Sequence, residues 1–430
     1  MRLQPILVGL LLLRATCACA QNSIQNPILT GYVTRVVSPD DFDVNGFRVV
    51  PAKEGMAYQR MLQSAEPYLG EPVSVFGSLH EKIHTVTATE IGLDPVKPEV
   101  GGAAMILRVF QLLDPGMPSA RAMIGADGYR ILIVPATRKD YRSPLTPASS
   151  ISVGVWLTYK GRQRTDGVVV AEHVEMSQKG ITGSEAKFDA KQEYDPAKVD
   201  PSAKQNTLSK AFFGINAKKI PPYQDPPMQA RVDSIMHSLV PAYQRALPDG
   251  DPMKINFRIQ LVDRPKLRSV LELPSGIILI PKQVVERMQN DSQLAAILAY
   301  GVAATLETFD WREHVKDTKI TAAEIAAITG NLFVPGLAFG ADIADIAGSA
   351  VQRSLEDQCF RVSLALLNNA GYDVRQAPVA WWLLASKKPK AVLAQVRLPR
   401  EVGYLYRILG TTWREKASLP QLPNGAAPSP

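Results

Sequence analysis

The stretch His80-Glu81-Lys82-Ile83-His84 is the one His-Glu-x-x-His in this chain. On a helix, histidines at i and i+4 share a face, so both imidazoles can reach one tetrahedral zinc. A glutamate beside the first can then take a proton from zinc-bound water. The neighbouring residues do not favour a helix. Gly77 and Ser78 come before, and the β-branched run Thr85-Val86-Thr87 follows. That framing predicts a hairpin between two strands, where side chains four apart do not stack. His80 and His84 are therefore weak metal candidates in a solvated loop. His237 and His314 stand alone in sequence. Cys359 is the one cysteine beyond the first twenty residues, so no intramolecular disulfide follows, and its apolar helical context reads as core. The chain has no Gly-x-Ser-x-Gly elbow, no glycine-rich phosphate loop and no Cys-x-x-Cys.

A second stretch has the rhythm of a site-bearing helix without the letters. "NDSQLAAILAYGVAATLE" runs from Asn290 to Glu307. Leu294, Ile297, Leu298, Gly301, Val302, Thr305 and Leu306 form a stripe at helical spacing. Gly301 in mid-helix costs about 1 kcal/mol against alanine, which a packed domain can absorb. Upstream, "KINFRIQLVD" and "SGIILIP" alternate or run apolar as strands do. Downstream, "SLEDQCFRVSLALLNNAG" reads as another helix.

In order, spacing and framing residues, this region resembles the HtpX-like and CAAX-prenyl-protease-like zinc metallopeptidases, in their soluble exported branch. The likeness covers roughly Gln229 to Ala385. "VLELPSGIILIPKQVVE" resembles the family's substrate-accepting edge strand, which assigns peptide binding to Gly276, Ile277, Ile278, Leu279 and Ile280. "DSQLAAILAYGVAATLE" resembles the helix that carries His-Glu-x-x-His. "SLEDQCFRVSLALLNNAGYDV" resembles the segment with the third ligand. Counting back from Gly371-Tyr372-Asp373 sets Glu356 at the glutamate ligand, with Cys359 and Phe360 where Ala-Asp usually stands. The resemblance thus puts Tyr300 at the first histidine, Gly301 at the general base and Ala304 at the second histidine. Glycine and alanine offer no donor atom, and one carboxylate cannot hold a catalytic zinc. Tyr300 is expected to fill the vacated volume and hydrogen-bond Glu356.

The N-terminal half reads as a duplicated β module. Gly46 to Gly128 is 82 positions, Gly77 to Gly161 is 84, and Ala88 to Ala171 is 83. A near-constant offset across three strand-like blocks points to repetition. Asn45-Gly46 between alternating runs is a hairpin signal. Several short strands per copy suggest small OB-like barrels. The strands lack aromatics interleaved with basic residues, so nucleic-acid binding is not expected.

Apolar residues make up 46% of the 430 and charged residues 21%, as in a globular protein with sizeable cores. The net charge is +7, or +5 without Arg2 and Arg14, with no polybasic run. The N-terminus combines Arg2, an apolar run Ile6–Leu13 and Ala18-Cys19-Ala20, which reads as an export signal. The expected fold is α+β multidomain: signal peptide 1–20, OB-like modules 21–95 and 100–177, linker 178–227, a mainly α metallopeptidase-like domain with a short sheet 228–416, and a disordered tail 417–430. The expected function is that of an exported pseudo-metallopeptidase, periplasmic or extracellular, binding extended peptide or protein clients. The alternatives are an active zinc metalloendopeptidase with an atypical site and a purely structural envelope protein. No cofactor is expected, with zinc reserved for the first alternative. The uncharged run 325–341 is a candidate for peripheral membrane contact.

Overall fold

A computed structural model describes residues 26–52, 57–59, 67–93, 98–179, 183–200, 217–312, 348–385 and 398–417. The segments 1–20, 325–341 and 418–430, read above as leader, membrane-contacting run and tail, lie outside them. Among the described residues, no helix is long and apolar enough to cross a membrane.

The first half forms two closed five-stranded barrels with the same connectivity. In the first, β1 (Leu29–Ser38), β2 (Asp41–Val44) and β3 (Phe47–Pro51) make an antiparallel meander. A short β4 (Ala57–Gln59) follows, then β5 (Pro72–His80) and β6 (Thr85–Leu93). β5 pairs antiparallel with β1 and β6, and parallel pairing of β3 with β6 closes the ring. β4 adds to β6 in parallel.

The second barrel repeats each step. β7 (Glu99–Leu113), β8 (Arg121–Ala126) and β9 (Tyr129–Ile133) form the meander. β10 (Arg138–Tyr141) corresponds to β4 and adds in parallel to β12 (Val168–Gln178). β11 (Val155–Gln163) bridges β7 and β12, and parallel pairing of β9 with β12 closes the ring.

The glycine spacing seen in the sequence has a cause here. Gly77 and Gly161 sit at corresponding bulges in β5 and β11. A Cβ on Gly77 would stand 2.1 Å from Thr87 O, and one on Gly161 2.3 Å from Val170 O. Only glycine allows the facing backbone so near. Each barrel has an apolar interior of its own, from Val33, Phe42 and Val49 in the first to Ile106, Ile124 and Leu157 in the second.

The rest is mainly helical. After α1 (Gly183–Lys191) come α2 (Pro226–Leu239) and α3 (Ala242–Ala246). Asp225 caps α2 by accepting from Met228 N at 3.0 Å, with prolines filling the first turn where their missing N–H costs nothing. A three-stranded sheet holds β13 (Arg258–Val262), β14 (Leu271–Glu272) and β15 (Ile277–Pro281). Then follow α4 (Lys282–Arg287), α5 (Asp291–Leu306), α6 (Gly348–Asn369), α7 (Gln376–Ala385), α8 (Arg400–Thr411) and α9 (Arg414–Ala417). The large core runs through α5, α6, α7 and α8 and takes in Ala103, Met105 and Trp156 of the second barrel.

The stretch read as a linker, 178–227, is in part built into the fold. Phe188 of α1 packs on Trp311 with ring centroids 5.6 Å apart. Tyr194 and Ile220 are buried with Val262, Leu271, Ile277 and Leu279, covering one face of the sheet. Three or four large apolar anchors among many charged and proline residues suffice to dock an irregular segment.

Candidate functional site

Helix α5 starts at a reciprocal cap. Asn290 Oδ1 accepts from Gln293 N at 2.9 Å, and Gln293 Oε1 accepts from Gln289 N at 2.8 Å. From Ser292 to Leu306 every residue except Tyr300 is buried. The apolar stripe of the sequence is therefore one side of a helix enclosed all round, as a central core helix is.

The resemblance assigns Tyr300, Gly301 and Ala304 of this helix to the metallopeptidase motif. The Tyr300 ring lies 4.8 Å from that of Phe360 and 5.1 Å, edge-on, from that of Trp381. Phe360 and Trp381 meet edge-to-face at 5.0 Å, a geometry rings favour. Burial pushes the Tyr300 phenol well above its ordinary range, so the hydroxyl stays neutral. Gly301 lets β15 approach: a Cβ there would come 2.9 Å from Ile278 Cδ1. Ala304 is buried beside a void of about 20 Å³ lined in part by Glu185, Asp189 and Thr308.

The hydrogen bond expected between Tyr300 and Glu356 is not formed. The Glu356 carboxylate takes the Arg400 guanidinium at 3.0 Å, and Arg400 also pairs with Asp357. Cys359 is fully buried, and burial raises its thiol well above the ordinary range, which leaves it un-nucleophilic. These residues do not fit a zinc ion. Two positions lack donors, the phenol is packed among rings, and the carboxylate is committed to arginine. Among the described residues, no three His, Cys, Asp or Glu side chains gather to hold a metal.

The formal His80-Glu81…His84 motif falls on the β5–β6 hairpin, as its framing suggested. His80 ends β5 opposite Thr85, Glu81–Ile83 make one 3-10 turn, and His84 follows in the left-handed region at φ 48°. His84 packs on Phe47 at 5.6 Å while His80 is exposed, so the two imidazoles share no helix face.

The strand read as an edge is not one. β15 lies at the centre of its sheet, parallel to β13 on one side and antiparallel to β14 on the other. Strand order is set by partners far along the chain, and an apolar run is compatible with either place. The outer edge of β13 is itself capped. Gln229 donates to Ile259 O and accepts from Leu261 N, both at 3.0 Å. Tyr223 N and Asp263 N complete a short pairing of 221–223 with the end of β13.

Two buried polar junctions were missed by sequence reasoning. In the first, the Asp127 carboxylate at the tip of the β8–β9 hairpin accepts from Arg361 of α6 at 2.6 Å and from the Tyr159 hydroxyl at 2.7 Å. Arg361 also donates to Tyr404 at 2.8 Å and lies over the Tyr129 ring. In the second, Gln358 of α6 donates to Glu307 Oε2 at 3.1 Å and to Ala103 O at 2.7 Å, and accepts from Arg312 at 2.8 Å. Burial, opposed by Arg312, pushes the Glu307 carboxyl up to about 8. Nothing in the neighbourhood of Asp127 named a partner 234 residues away.

No family model matches the chain. Over 205 residues it is 24% identical to a Vibrio cholerae protein named "Putative beta-barrel assembly-enhancing protease", covering 44% of this chain and 41% of that one. The chain thus spans less than half of the relative's length. The similarity is to a protein named as a protease, in keeping with the peptidase-like framing residues of the third region.

Proposed function

We propose that this chain is an exported, non-cleaving relative of the HtpX-like zinc metallopeptidases that holds unfolded protein or peptide clients in the cell envelope. The observation that carries the reading is the state of the motif positions. Tyr300 is locked in an aromatic cluster, Gly301 serves close packing, Ala304 offers no donor atom, and Glu356 is tied to Arg400. The helix frame persists where the chemistry is gone, which suits binding better than hydrolysis. The Vibrio relative's name, a barrel-assembly-enhancing protease, supports an envelope setting and polypeptide clients.

The two barrels act as OB-like modules that present loops and outer faces to a partner. Their strand connectivity, a meander followed by two strands of which the second closes the ring by parallel pairing with the third strand of the meander, supports this assignment. The clients do not add to Gly276–Ile280, since that strand is paired on both sides. A purely structural role is the second reading, favoured by Gln229 and 221–223 capping the outer edge of β13.

The test is aggregation suppression. Stoichiometric protein should keep a urea-diluted β-barrel polypeptide soluble and leave its length unchanged on a gel. Shortened client would indicate the protease, and unchanged aggregation the structural role.

A further inference from the structure

We propose that the pocket between the outer face of the second barrel and the ends of α6 and α9 is where a client is gripped, by a large apolar side chain next to a carboxylate. This rests on the client-holding reading above and gives it a location.

The cross-strand register builds the site. Arg108 on β7, Gly125 on β8 and Arg130 on β9 pair successively, so they form one row across the barrel. Gly125 between two arginines leaves a slot, and the edge of the Phe110 ring borders it: a Cβ on Gly125 would stand 3.3 Å from Phe110 Cε2. Opposite the row lie Asn368, Asn369 and Trp413. Together they enclose about 180 Å³, lined mostly by apolar surface. An engineered cavity of about 150 Å³ admits benzene, so the space takes an aromatic or large aliphatic side chain.

The charges select what accompanies that side chain. Arg108 donates to Asn369 Oδ1 at 3.0 Å and lies 4.8 Å over the Phe110 ring. Arg130 donates to the backbone oxygen of Asp166 at 3.1 Å. Neither guanidinium has a carboxylate partner among the described residues. Lys416 adds a third cation to the lining and Glu415 one anion, so the pocket is net positive. Guanidinium groups with spare donors bind carboxylates in two-pronged fashion.

The surface continues the apolar character. Phe110 is 44% exposed, and further along the same hairpin Leu113 and Met117 are 45% and 58% exposed. Exposed apolar groups rimmed by polar ones mark interaction sites in soluble proteins. An extended polypeptide with an apolar side chain beside an acidic one, or beside its own C-terminal carboxylate, satisfies pocket, cations and track together.

The experiment is fluorescence anisotropy on the full chain with a labelled octapeptide containing Phe-Asp. Phe→Ala and Asp→Asn versions, a version ending in Phe with a free or amidated carboxyl, and a labelled thymidine oligonucleotide complete the set. The Phe-Asp peptide and the peptide ending in Phe with a free carboxyl should bind, and Phe→Ala, Asp→Asn and amidation of that carboxyl should each weaken binding about ten-fold, as loss of one good contact does. The double variant Arg108→Ala/Arg130→Ala should lose binding to the same degree with unchanged circular dichroism. Gly125→Leu, which fills the slot without touching charge, should lose it too. Equal binding of the Ala-Asp peptide, unchanged affinity in the folded variants, or tighter binding of the oligonucleotide would overturn the site. So would a sedimentation shift showing that Arg108→Ala merely breaks a dimer. If the variants still suppress client aggregation, the site is wrong and the client-holding reading stands. If wild-type protein suppresses none, that reading falls first.

Discussion

Two hairpin turns, Asn45-Gly46 in the first barrel and Asp127-Gly128 in the second, share one backbone and serve different ends. Asn45 and Asp127 lie in the left-handed region at φ 51° and 53°, each followed by a glycine at 84° and 75°. Asn45 turns its amide inward: Oδ1 accepts from Tyr32 N at 3.1 Å and Nδ2 donates to Thr30 O at 3.3 Å. An amide can satisfy both neighbours because it donates and accepts. The Asp127 carboxylate can only accept, is completely buried, and draws its donors from Tyr159 and from Arg361 on helix α6. A change of one side-chain group converts a turn that closes its own barrel into one that fastens the barrel to the helices. Duplicated modules can thus diverge in what they dock to while keeping their fold.

The sharpest way to break this comparison is to remove the cation. Arg361→Met should strand a buried carboxylate and cost roughly 3–5 kcal/mol in urea unfolding. Asn45→Ala in the first barrel should cost about 2 kcal/mol, since it removes neutral hydrogen bonds at a half-buried site and adds left-handed strain. Equal losses would mean that the two turns are equivalent after all.

The glycines give a smaller contrast of the same kind. Gly128→Ala places a Cβ 2.3 Å from the Arg361 carbonyl carbon, which is backbone and cannot step aside, in addition to the left-handed strain. Gly46→Ala carries a left-handed strain of about 1–2 kcal/mol. A larger fall in melting temperature for Gly128→Ala is the expected result.

The second junction makes a pH prediction. Glu307 is held protonated up to about 8 in the fold, whereas an exposed glutamate ionises near 4.5. Between these values the unfolded chain has released a proton that the folded chain keeps, so stability falls as pH rises from about 4.5 to 8. Asp189, raised to about 6, works in the same direction over a narrower window. Glu307→Gln should flatten part of the decline when melting is followed from pH 5 to 8. A wild-type curve that climbs across that range would contradict the assignment. The smallest effect belongs to His80→Ala, which alters an exposed hairpin end and should shift stability by no more than about 0.5 kcal/mol.

Much of the local architecture was legible in the sequence. Alternation and the recurrent glycines gave both β modules, because bulges and hairpins need glycine at fixed places along a strand. The apolar stripe gave α5, and β-branched neighbours kept His80-Glu81…His84 off a helix. What was not legible depends on long-range partners. Periodicity says that Ile277–Pro281 is buried but cannot say that it is central. Phe188, Tyr194 and Ile220 look like isolated apolar residues in a charged segment until the surfaces they cover are known. Glu356 keeps the residue type of a ligand, yet Arg400, far along the chain, determines what it does.

We propose that the third region keeps a peptidase-like frame around positions that neither hold zinc nor cut. The most direct measurement is the metal content of the full purified chain by atomic emission, alongside cleavage of casein with and without chelator. The account predicts substoichiometric zinc and no chelator-sensitive cleavage. One zinc per chain with cleavage that a chelator abolishes would contradict it.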